Sequence, residues 1–209
     1  MSFDRKKSDT IHAEAAAVQR TGDSLLSYCV RNSRAILLLA AALGLLYSSQ
    51  LLNTNPRVDT STMLANQGIV INWLQIGRPG LVLTKWLAGV LNYNPYIASL
   101  SLLPMMLLVC ILCGWLFSAA LGRESGVGLV VFGLLLFAHP IWAEMFYFTL
   151  QNPELLLAFA LIPLALRLLL ACADGKSLWL CVPAAALLTW SFCSYQLMAV
   201  MYFAMMAGV

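Results

Sequence analysis

A few polar residues carry all the chemistry this chain can offer. Arg57 and Asp59 stand two apart in NPRVDT (residues 55–60), Arg78 lies in GRPG, Lys85 in LVLTKWLAGVL, and Glu144 in AEMFYF. A carboxylate within hydrogen-bonding reach of a hydroxyl can take its proton as it attacks. Arginine can grip an oxyanion through two parallel hydrogen bonds. Each residue also has a plainer reading. Asp59 precedes Thr60 and Ser61 and fits the N-cap of a helix, a role compatible with catalysis. Arg57 and Asp59 read equally as a surface ion pair, and Arg78 and Lys85 as cations snorkelling to headgroups. Glu144 either reaches interfacial water or acts on a substrate, and with Asp59 it could take a divalent ion. Glu154 fits the dipole of the helix it opens. Gln151 and Asn152, and Tyr195 and Gln196, can turn the chain or hydrogen-bond hydroxyls. His139, with no second ligand nearby, reads as a buried, hydrogen-bonded imidazole.

The elements that must hold these residues follow from composition. The 209 residues are 61% hydrophobic and 10% charged, against about 25% charged in an average soluble domain. The mean hydropathy is +0.83, and several apolar runs reach the length of a membrane helix. The fold class is therefore all-α and integral to a membrane. A net charge of +3 gives no reason to expect nucleic acid. Cys110 and Cys113 have redox-motif spacing but lie inside MMLLVCILCGWLF, where they read as small hydrophobes.

Apolar runs and polar turns divide the chain into a cytoplasmic tail and surface helix (1–34) and a membrane domain (35–209). Expected spans are 35–52, 96–121, 127–142, 155–172 and 178–192, with an incomplete run at 197–209. Those last 13 residues would rise only about 20 Å as a helix, so the sequence reads as the front part of a longer protein. With the N-terminus in the cytoplasm, nine of the twelve Lys and Arg fall on the inner side. Only Arg57, Arg78 and Lys85 fall outside, which places NPRVDT on the extracytoplasmic face. The outer segment 53–95 contains TSTMLANQGIVINWLQI and LVLTKWLAGVL, separated by GRPG. Both read as short amphipathic helices lying along the membrane surface.

NPRVDT, NWLQIGRPGLVLTKWL and YNPY in that order resemble the first outer loop of the type II glucosyltransferases that modify bacterial O-antigens. HPIWAEMFYFTLQNPE and SYQ resemble later outer loops of the same family, so the likeness covers residues 45–209. It implies a GT-C-like multi-span bundle in the inner membrane, with an acidic residue of the first outer loop at the catalytic centre. It further implies transfer of a hexose, glucose by preference, from a polyprenyl-phosphate donor to a surface polysaccharide, with inversion. Asp59 would then be the general base, with Glu144 beside it. Arg57, Arg78, Lys85, Gln151, Asn152, Tyr195 and Gln196 would bind substrate. The resemblance fixes no cofactor, and a divalent cation fits. The alternatives are a transporter or flippase subunit for lipid-linked sugars, and a membrane fragment without chemistry.

Overall fold

Capping residues mark out the helices. Ser24 opens α1 (Leu25–Arg31) by accepting a hydrogen bond from the Ser27 N–H. Asn32 then turns the chain, and α2 (Ser33–Leu46) leaves at 78° to α1. Tyr47 separates α2 from the short α3 (Ser48–Leu52). After α4 (Ile69–Gln75) and α5 (Pro79–Leu87) comes the long α6 (Pro95–Leu121). Asn94 caps it through the Tyr96 and Ile97 N–H groups. The remaining helices are α7 (Gly126–Ala138), α8 (Pro140–Met145), α9 (Asn152–Ala173), α10 (Cys181–Ser194) and α11 (Leu197–Ala207). A single 3₁₀ turn, Leu178–Leu180, leads into α10. This computed structural model describes residues 24–52, 69–91, 94–148 and 150–208, and among them it contains no strand.

The chain is a membrane protein. Residues Tyr96–Leu121 and Asn152–Ala173 each form a helix long and apolar enough to cross a bilayer, and α1 with α2 would make a third, broken span. The apolar run expected to cross at 127–142 is divided. His139 has extended backbone, as the residue before a proline tends to, so α7 ends at Ala138 and α8 starts at Pro140. The His139 side chain is exposed, not buried, and its Nδ1 accepts from the Ile141 N–H at 3.2 Å.

Helix α9 forms the centre, packed between α6 and α10, while α2 lies along α7. Cys110 and Cys113 are buried free thiols within α6, behaving as the small apolar residues the sequence suggests. Arg167, deep in α9, has its guanidinium 4.8 Å from the Trp115 ring on α6. This contact gives a buried cation an aromatic face. An aromatic knot of Tyr47, Phe137, Trp142, Phe146 and Phe159 fills the end of the bundle under α8. Its rings sit 5.1–6.0 Å apart at these contacts, within the range where edge and offset packing are favourable. The knot sets the path of the chain into α9 and so the start of the candidate site.

Of the two short helices expected between the first spans, α4 is the described end of the first, whose residues 60–68 lie outside the described residues, and α5 covers most of the second, but α5 does not lie free on a surface. Gly80, Leu81, Thr84 and Lys85 are buried, and α5 packs against α9 and α10. Only glycine permits this approach: a Cβ at position 80 would stand 2.6 Å from both Ser194 Oγ and the Trp190 carbonyl oxygen. Trp190 fastens the contact by donating its indole N–H to Thr84 Oγ1 at 2.9 Å and to the Gly80 carbonyl at 3.2 Å.

Candidate substrate site around Arg78

Helix α4 stops at a glycine. Gly77 has φ of 76°, a conformation that costs glycine little. The Gly77 N–H bonds to the Leu74 carbonyl, and the Arg78 N–H to the Trp73 carbonyl at 2.8 Å. This paired closure is the Schellman pattern. Pro79, suited to the first turn of a helix, then starts α5 with Arg78 at its N-cap. The result is a helical hairpin whose tip presents one guanidinium.

Two distant segments meet at that tip. Arg78 Nη1 donates to Gln151 Oε1 at 3.2 Å, and Arg78 Cζ lies 4.5 Å from the Tyr195 ring centroid. The Gln196 amide nitrogen comes within 4.0 Å of where a Cβ on Gly77 would be. Among the described residues no carboxylate forms an ion pair with Arg78. Arg78, Gln151 and Tyr195 are all half-buried and Gln196 is exposed. Four of the residues picked out in the sequence therefore form one cluster. It is a partly desolvated cation, oriented by an amide and an aromatic face, with donor groups left over for an anion.

Lys85 is placed differently from the expectation that it reaches headgroups. It lies two turns further along α5, about 10 Å from Arg78, and Nζ is 2.6 Å from Glu154 Oε1. The two side chains are only 5% and 4% exposed. Trp73 stands 5.4 Å from the ammonium. Glu154 does open α9 as expected, yet its partner is this lysine, and its Oε2 is buried with no hydrogen bond. Sequence reading missed the pair because 69 residues separate its members. The available signal was two opposite charges set singly in apolar runs, each of which needs a partner in a low-dielectric interior.

Only one end of the Asn152 amide has a partner, and its Oδ1 is buried with no hydrogen bond. The residue is buried, and Nδ2 donates to the Phe146 carbonyl at 2.9 Å, clipping the start of α9 to the aromatic knot. Glu144 is exposed on α8 and is paired with neither Arg78 nor any other cation among the described residues. Arg57 and Asp59 lie outside the described residues, and with them the expected sharing of a divalent ion between Asp59 and Glu144.

Further along α5, from Thr84 onward, lies a cavity of about 240 Å³ between α5, the start of α6 and the start of α9. Ala88, Val90, Ile97, Ala98, Met105 and Leu157 give it apolar walls, and Lys85 and Glu154 line one side. Leu150 and Pro153, which flank Gln151 in sequence, also line it. The volume exceeds the roughly 150 Å³ of an engineered apolar cavity that takes up benzene. A hydrocarbon segment fits here, beside the Lys85–Glu154 pair.

Residues 48–209 match the family model described as Glucosyl transferase GtrII. The chain belongs to this family. It is a glycosyltransferase. No curated protein matches the chain, and no solved structure does. The matched span of this GtrII protein includes the whole Arg78 cluster, the buried ion pair and the cavity, while α1 and α2 precede it.

Proposed function

We propose that the protein moves glucose from a polyprenyl-phosphate donor to a surface polysaccharide such as O-antigen, on the extracytoplasmic face of the inner membrane. The observation that carries this reading is Arg78. It is half-buried, has no carboxylate partner among the described residues, and is steadied by Gln151 and Tyr195; an apolar cavity opens further along α5, lined by Thr84 and Lys85 and by Leu150 and Pro153 on either side of Gln151. A lipid phosphate needs such a pairing: a cation for the head and an apolar trough for the first units of the chain.

The leaving group in this reaction departs as a phosphate anion, so positive charge does more for the transition state than a general acid would. Arg78 supplies it, and Arg57 adds to it. Tyr195 and Gln196 line the sugar, and Gln151 holds the guanidinium in place. Asp59 removes the proton from the attacking hydroxyl, and Glu144 orients the acceptor. Attack opposite the phosphate inverts the anomeric centre. Lys85 serves the site indirectly, by holding α5 against α9 through Glu154.

The test uses the purified chain in liposomes with polyprenyl-phosphate glucose and an O-antigen acceptor. Wild type is compared with Arg78→Gln and Asp59→Asn. Arg78→Gln weakens donor binding, and Asp59→Asn leaves binding intact while stopping transfer. Equal donor binding by wild type and Arg78→Gln removes Arg78 from the site. Equal transfer by wild type and Asp59→Asn removes Asp59 as the base.

A further inference from the structure

At the elbow between α1 and α2 a second groove opens, of about 450 Å³, lined by Arg31, Asn32 and Arg34 at one end. Ala35 and Leu38 of α2, and Val127, Val130 and Val131 of α7, continue it as an apolar trough. Basic groups at the mouth and hydrocarbon walls behind them complement one kind of molecule. We propose that this groove is a binding site for an anionic glycerophospholipid. The phosphate sits on Arg34, and one acyl chain runs between α2 and α7.

Three observations support the choice. The first is depth. Leu26 and Val30 are four residues apart on α1 and are 75% and 67% exposed, so one face of α1 is apolar and uncovered. A short helix of this kind, set at 78° to the apolar α2, lies in the plane of a membrane surface while α2 enters it. Arg31 and Arg34 flank the bend and therefore stand at headgroup level.

The second is charge. Glu124, in the turn between α6 and α7, is satisfied by Arg31, with Nη2 2.9 Å and Nε 3.0 Å from Oε2. Asn32 also donates to Glu124. This carboxylate is therefore spent on Arg31 and Asn32. Arg34 is exposed and forms no ion pair among the described residues. A zwitterionic headgroup would bring its own ammonium against these arginines; an anionic one would not.

The third is shape. Val127 and Val131, four residues apart on α7, are 75% and 50% exposed. They form a ridge leading away from Arg34 along the bilayer direction of α2. The ridge can guide a chain whose head is fixed at the elbow. This site lies outside the Arg78 cluster and depends on no assumption about the reaction.

Native mass spectrometry of the detergent-solubilised chain tests it, with phosphatidylglycerol and phosphatidylcholine of identical acyl chains. Wild type retains phosphatidylglycerol in preference. Arg34→Gln reduces that retention roughly fivefold, the effect of one basic residue near a lipid surface, and leaves phosphatidylcholine unchanged. Val127→Trp, which fills the trough without touching the charge, lowers retention of both lipids. Equal retention of the two lipids by wild type overturns the proposal, as does an undiminished preference in Arg34→Gln. Displacement of the lipid by inorganic phosphate, where chloride at equal ionic strength has no effect, also overturns it. That result would mean the groove takes a free anion and not a lipid.

Discussion

Replacing Lys85 by methionine would strand a carboxylate inside the protein. Glu154 is 4% exposed, its Oε1 has Lys85 as partner at 2.6 Å, and its Oε2 already has none. The variant leaves both oxygens buried and unpaired, and breaking one half of a buried pair typically costs about 3–5 kcal/mol. For a chain of this size that corresponds to a fall in melting temperature on the order of 10 °C. Replacing both residues, Lys85→Met with Glu154→Leu, removes the desolvation penalty together with the attraction. The double variant should therefore lie within about 1 kcal/mol of wild type. Thermal unfolding in one detergent, followed by tryptophan fluorescence, measures all three proteins, since Trp73 stands beside the ammonium. A single variant as stable as wild type would show that the charges are not desolvated. A double variant as unstable as the single one would show that the loss came from packing and not from an unpaired charge.

Further outcomes follow from other contacts. Gly80→Ala forces a Cβ to within 2.6 Å of the Trp190 carbonyl and 2.7 Å of the Ser194 nitrogen. It should destabilise by about 1–3 kcal/mol in the same unfolding assay, and unchanged stability would mean that α5 does not dock there. Glu124→Gln breaks an ion pair whose side chains are 40% and 30% exposed. Its cost should stay below about 1 kcal/mol and shrink further in high salt; a larger loss would mark the pair as a main anchor of α1. Cys172 and Cys181 have sulfurs 3.4 Å apart, so treatment with the diazene oxidant diamide should remove both thiols together, giving one disulfide and the reduced hydrazine. Cys172→Ser should leave Cys181 free to alkylate, and wild type with both thiols still reactive after treatment would refute the pairing.

Much of this arrangement is written locally and can be read from one segment at a time. Apolar content alone specifies an all-helical membrane chain. Asn94 before Pro95, and Gly77 before Arg78 and Pro79, mark helix ends that the structure reproduces. Arg78, Gln151, Tyr195 and Gln196 stand out individually because polar groups are scarce in so apolar a sequence. Their meeting at one point is not legible, since it depends on how α5 seats against α9 and α10. The same holds for Lys85 and Glu154, which a local reading assigns to headgroups and to a helix dipole. Nothing in the sequence shows that Asn152 gives its Nδ2 to the Phe146 carbonyl. His139 shows the reverse case, where a local rule about the residue before proline describes its role better than an expectation of burial.

The seating of α5 also constrains how the protein is made. Thr84 receives its hydrogen bond from Trp190, 106 residues later in the chain. At about 5–20 residues per second of synthesis, a ribosome needs on the order of ten seconds to cover that distance. Until then the lysine-bearing hairpin has been made without the helices that will enclose it. Slowing or pausing translation within that interval should lengthen the exposure of the hairpin to proteases and insertion factors, with no change to any residue of the finished protein.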